Sequence, residues 1–95
     1  MKTNFHMLKS FEYNPENYGF CTAKEVEQIE KHFCIKERSN VELQNLRDFV
    51  VMYYSLRTES AREKKDDNSY FKLHDTMSAI TGVIDQNKWE RGMEI

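Results

Sequence analysis

The stretch from Ser60 to Asn87, SAREKKDDNSYFKLHDTMSAITGVIDQN, most constrains what this chain can fold into. Its apolar residues Tyr70, Leu73, Met77, Ile80 and Ile84 recur at spacings of three and four, which is one stripe of an α-helix. A single helix cannot bury such a stripe by itself, so this one needs a partner. Gly82 sits inside the pattern beside Ser78, Ala79 and Thr81. A glycine costs a helix about 1 kcal/mol relative to alanine. Either another backbone approaches closely there or the residue is simply tolerated.

The preceding segment supplies the partner. Ser39-Asn40-Val41-Glu42 reads as a capping box that opens a helix over 40–57. Val41, Leu46, Phe49, Val50, Tyr53 and Leu56 follow the helical period there, and Val51, Met52 and Tyr54 widen the stripe. Ser60-Ala61-Arg62-Glu63 reads as another box, opening a second long helix over 61–87. Upstream, Thr22-Ala23-Lys24-Glu25 opens a short helix over 22–35, with Val26, Ile29 and Phe33 on one face. The charged run Lys36 to Arg38 then reads as a connection. Residues 1–21 show no helical period: Phe5, Leu8, Phe11, Tyr13, Tyr18 and Phe20 are scattered among polar residues, and Pro15 follows Asn14. They read as an irregular aromatic arm. The tail 88–95 carries Trp89 and is expected to fray. The predicted architecture is all-α: a long antiparallel helical hairpin with a short extra N-terminal helix and an arm.

Ninety-five residues make one domain whose core is small, and oligomerisation is one of few ways to add buried apolar area. A net charge of −2 gives no global field that would draw the chain onto a DNA or RNA duplex or an anionic lipid surface. Cys21 and Cys34 are too few for a disulfide framework or a metal site and read as reduced. The opening MKTNFHMLKSFEYN has no apolar run of the signal-peptide kind. No apolar segment approaches the ~20 residues that cross a bilayer. A cytoplasmic protein is expected.

Enzyme constellations are hard to find. His6, His32 and His74 lie far apart, without HExxH or CxxC spacing, and there is no GxSxG elbow, P-loop or GxGxxG. His74, beside the apolar stripe, reads as a partly buried, hydrogen-bonded histidine. Glu63, Asp66, Asp67 and Asp75 read as a solvated face. The expectation is a non-enzyme without cofactor or metal. A binding site is easier to build. In the predicted helix 61–87, Arg62 and Lys64 fall in the first turn, where backbone N–H groups and the macrodipole favour an anion. Tyr13 and Asn14 offer an aromatic face and an amide.

Three pieces of the chain resemble the small phage proteins that sequester cyclic oligonucleotide immune signals, the anti-CBASS sponges, whose helical-hairpin domain is shared with some anti-Thoeris proteins. Phe11-Glu12-Tyr13-Asn14-Pro15 is similar to the family's aromatic-Tyr-His/Asn-Pro segment, and Leu46-Arg47-Asp48 resembles the Ile-Arg-Asp of its first long helix. Ser60 with Arg62-Glu63-Lys64, then Lys72-Leu73, Met77, Ile84 and Asn87, follows its hairpin turn and second helix. The departures are Ala61, a longer stretch from Lys65 to Phe71, the added helix 22–35, and Glu42 at the gapless position of a phosphate-binding lysine. Lys24, Lys31 and Lys36 are the candidate substitutes.

The resemblance implies a non-catalytic sponge for cyclic di- and trinucleotides, acting in the cytoplasm of an infected bacterium to block anti-phage signalling. It also implies a symmetric homo-oligomer, a hexamer, with pockets between subunits. Tyr13 would stack on a base, Asn14 would hydrogen-bond beside it, Lys31 would meet phosphate, and Arg62 with Lys64 would face a second anionic site. The competing expectation is a small phage or bacterial interaction protein that docks on a host protein and inhibits it, using the wide apolar surface of 49–54.

Overall fold

Two of the three capping boxes form as their sequences predict. The Thr22 hydroxyl accepts from the Glu25 backbone N–H at 3.2 Å, and the Glu25 carboxylate accepts from the Thr22 N–H at 3.0 Å. Ser39 and Glu42 repeat the arrangement at 3.2 and 3.0 Å. Each box satisfies backbone donors that a helix start leaves open.

The chain's structure, a computed structural model, describes residues 5–11 and 21–92, and no strand occurs among them. The elements are α1 Phe5–Lys9, α2 Ala23–His32, a 3-10 turn Ile35–Glu37, α3 Asn40–Glu63 and α4 Asp67–Gly92. The hairpin is α3 on α4. Arg47 bonds Asp85 at 2.8 Å, Lys88 reaches Gln44, and Arg62 meets Tyr70 at 3.1 Å. Partner numbers fall on α4 as they rise on α3, so the two helices run antiparallel.

The third capping box does not open a helix. Ser60 to Glu63 is the last turn of α3, and α3 therefore extends past Arg57. Ala61 is buried there, and neither proline nor glycine interrupts the helix. The chain stops instead at Lys65, whose φ of 58° is left-handed. Asp66 N–H returns to the Ala61 carbonyl at 2.9 Å and Lys65 N–H to that of Arg62 at 3.0 Å, a Schellman closure. Asp66 then starts α4, its carboxylate accepting from the Ser69 N–H at 3.2 Å.

The core is contributed by all parts: Leu8 and Phe11 from the N-terminal side, Ile29, Phe33 and Ile35 around α2, Leu43, Leu46 and Val50 from α3, and Ile80, Val83 and Ile84 from α4. The expected stripe is rotated in places. Val41 and Leu56 are 71% and 63% exposed, while Leu43 is fully buried. Leu73 and Met77 are only half-buried, and Thr76, Val83 and Asn87 take interior positions on α4. His74 is exposed and stacks on Tyr70 at 6.2 Å rather than lying partly buried.

Two polar segments expected at the surface are anchored. Arg38, from the presumed connection, is 2% exposed and donates through Nε to the Phe33 carbonyl at 2.8 Å. The tail does not fray at Lys88, because α4 continues to Gly92. Asn87 donates to Glu30 of α2 and to the Val83 carbonyl, both at 2.9 Å. Gly82 meets no close approach: a Cβ built there would find nothing within 4 Å. Tolerance is the surviving explanation within this chain. The arm expected to be irregular contains α1; its continuation over 12–20 lies outside the described residues.

Candidate functional site

The residues expected to bind ligand do not come together. Tyr13 and Asn14 lie outside the described residues. Arg62 and Lys64 are exposed at the C-terminal end of α3, not at the start of α4. The helix-start argument for an anion there fails, because carbonyls and the negative end of the macrodipole lie there instead of free N–H groups. Arg62 is engaged within the chain, its guanidinium 5.3 Å over the Tyr70 ring. Lys31 is exposed on α2.

A different place gathers binding chemistry. Between α1 and the turn end of the hairpin lies a groove of about 420 Å³. Small-molecule sites commonly occupy about 300–1,000 Å³. Its cations come from separate elements: Lys9 from α1, Arg57 from α3 and Lys72 from α4. No carboxylate lines it among the described residues. Leu8, Phe11 and Leu73 give it an apolar wall.

Tyr53 and Tyr54 form the α3 side. Their rings meet edge to face at 5.0 Å, and the Arg57 guanidinium lies 5.4 Å over the Tyr53 ring. Arg57 Nη1 donates to the Tyr53 hydroxyl at 2.8 Å, which holds the guanidinium in place. Tyr54 is 3% exposed, and its hydroxyl makes no hydrogen bond among the described residues. Burial of that phenol, with the neighbouring Tyr53, pushes its pKa up to about 12. Tyr54 is a neutral O–H at neutral pH with or without that rise, able to donate to an acceptor in the groove. On the α4 side Ser69 adds a hydroxyl, while the Thr76 hydroxyl is used on the Lys72 carbonyl at 2.7 Å.

The groove presents donors beside an apolar wall. It suits an anion with an attached apolar or aromatic part, because cations and N–H groups hold phosphate oxygens without needing a protein base. None of its cations was read from the sequence as a ligand contact, and Lys72 entered only through the resemblance of the second long helix. One signal was present: Tyr53 and Arg57 stand four residues apart, on one helix face. Lys9 carried none, because its element was read as irregular.

No family model, curated protein or solved structure matches the chain. No helix among the described residues is long and apolar enough to cross a membrane.

Proposed function

We propose that the chain is a non-catalytic sponge for cyclic di- and trinucleotides, a phage protein that withdraws an immune second messenger from its host. The observation that carries this reading is the groove, in which Lys9, Arg57 and Lys72 converge beside Tyr53 and Tyr54 with no carboxylate lining it among the described residues. Phosphates of the ligand meet the cations, and a base lies against the apolar wall. The hairpin fold, expected from the motifs that resemble the sponge family, adds support.

Oligomerisation belongs to the same proposal. Met52, Leu56, Phe71 and Trp89 are each more than half exposed, apolar area that a second copy would cover. Those surfaces also favour a second reading, docking on a host protein. Titration calorimetry with a panel of cyclic di- and trinucleotides separates the two. Heat with at least one ligand is expected, and silence with every member of the panel overturns the sponge.

A further inference from the structure

We infer that the groove is by itself a complete site for one phosphorylated nucleotide unit, assembled within a single chain and reading the phosphate rather than a closed ring. This rests on the reading of the groove as the ligand site. It departs from the pockets between subunits that the family resemblance implies.

Three independent features support it. The first is charge: three cations from three elements converge in a chain whose net charge is −2. Neither Lys9 nor Lys72 has an ion-pair partner among the described residues. Cations grouped without acids leave a local positive potential that favours an anion over a cation in the groove. The second is Tyr54, whose side chain is almost wholly buried while its hydroxyl has no partner. That O–H reaches solvent at the groove, where it is placed to donate to an acceptor.

The third is Arg57. Tyr53 occupies only its Nη1, so its remaining N–H groups are held in a fixed plane and are unspent among the described residues. That is the fork that matches two oxygens of a phosphate. Leu8, Phe11 and Leu73 then provide the surface for a base. Because Lys9, Arg57 and Lys72 are all exposed, one side of the groove faces water, and no wall demands that the ligand be cyclic.

The test uses the full chain with three probes: inorganic pyrophosphate, adenosine 5′-monophosphate and glycerol 3-phosphate, each followed by amide chemical shifts and calorimetry. Adenosine monophosphate and pyrophosphate are expected to bind and to move the amides of Lys9, Leu73 and Thr76. Glycerol 3-phosphate, which lacks a base, is expected to bind about tenfold more weakly than the nucleotide. Lys72→Gln, an exposed change on α4, is expected to weaken nucleotide binding about tenfold or more. Lys88→Gln, outside the groove, leaves it unchanged. Arg57→Gln repeats the loss at the other helix, with circular dichroism confirming its fold.

Failure of both pyrophosphate and the nucleotide to bind overturns the inference, as does binding that Lys72→Gln leaves intact. Equal affinity for glycerol 3-phosphate removes the nucleotide part of it. If a cyclic dinucleotide binds and adenosine monophosphate does not, the sponge stands and this inference falls. The reverse result keeps the groove site and removes the sponge.

Discussion

Arg91, in the last turn of α4, donates through Nη2 to the carbonyl of Ile35 at 3.0 Å. Its other terminal nitrogen reaches the Arg38 carbonyl, and Asn40 Oδ1 lies 3.5 Å away. One guanidinium thereby bonds carbonyls at both ends of the 3-10 turn, Ile35 and Arg38, and ties them to the hairpin's open end. Removing it as Arg91→Ala leaves those carbonyls without their charged donor, a cost of about 1–3 kcal/mol. Urea unfolding is the check. Arg91→Lys, with one ammonium in place of a planar fork, should recover only part of the loss.

Asn87 makes a second tie at the same end. It is 4% exposed, and Glu30, which accepts its amide, also pairs with Lys36 at 3.1 Å. The two arms of this chain differ in burial. Asn87→Ala is expected to cost about 1–2 kcal/mol, because the part-buried Glu30 carboxylate loses one of its two donors and a buried side chain is truncated. Lys36→Ala removes an exposed pair and should cost less than about 1 kcal/mol. Equal melting temperatures for the two variants would contradict this ranking.

Gly82→Ala should stabilise the isolated chain by about 1 kcal/mol, since a Cβ meets nothing within 4 Å and alanine is the better helix former. The same substitution is diagnostic of assembly. If the helix face of Gly82 packs closely on another copy, the variant lowers the stability of the oligomer instead. Thermal melts at low and high protein concentration distinguish the signs.

Acid should weaken the start of α3 through Glu42. The Ser39 backbone N–H, followed by other hydrogen bonds that include the Ser39 hydroxyl, lowers its carboxyl from 4.5 to about 2. The folded value lies below the unfolded one, so the ionised group stabilises the fold above pH 4.5. That contribution is lost as the pH falls through 2. Asp66 acts in the same sense, held down by the hydrogen bonds from Ser69. Glu42→Gln keeps a capping side chain but cannot titrate, so its melting temperature should vary less with pH in this window. A slope equal to that of the natural chain would exclude Glu42 as a source.

The parts of this fold that could be read from the sequence are local. Thr22 with Glu25 and Ser39 with Glu42 are complete within four residues, so no tertiary contact decides them. Ser60 with Glu63 has the same letters and a different outcome, because Ala61 continues the buried face of α3 and Lys65 accepts a left-handed backbone. The true start, Asp66 with Ser69, was legible only once the stop was known. Arg38 was read as part of a charged connection and Arg91 as part of a fraying tail; Arg38 is buried through the nearby Phe33 carbonyl, and Arg91 is held by the Ile35 carbonyl, far away in sequence. The groove escaped for the same reason. Lys9, Arg57 and Lys72 become neighbours only after α1 is laid beside the hairpin.

The shared turn at Asp66 also bears on how fast the chain folds. It closes a three-residue connection, 64–66, between the two long helices, so α3 and α4 are joined by near neighbours in sequence. Closure of so short a segment carries little entropic cost, and local topology of this kind folds rapidly. The transition state is then expected to contain the turn but not the far end where Arg91 acts. Asp66→Ala should mainly slow refolding, whereas Arg91→Ala should mainly hasten unfolding, a division that stopped-flow chevrons resolve directly.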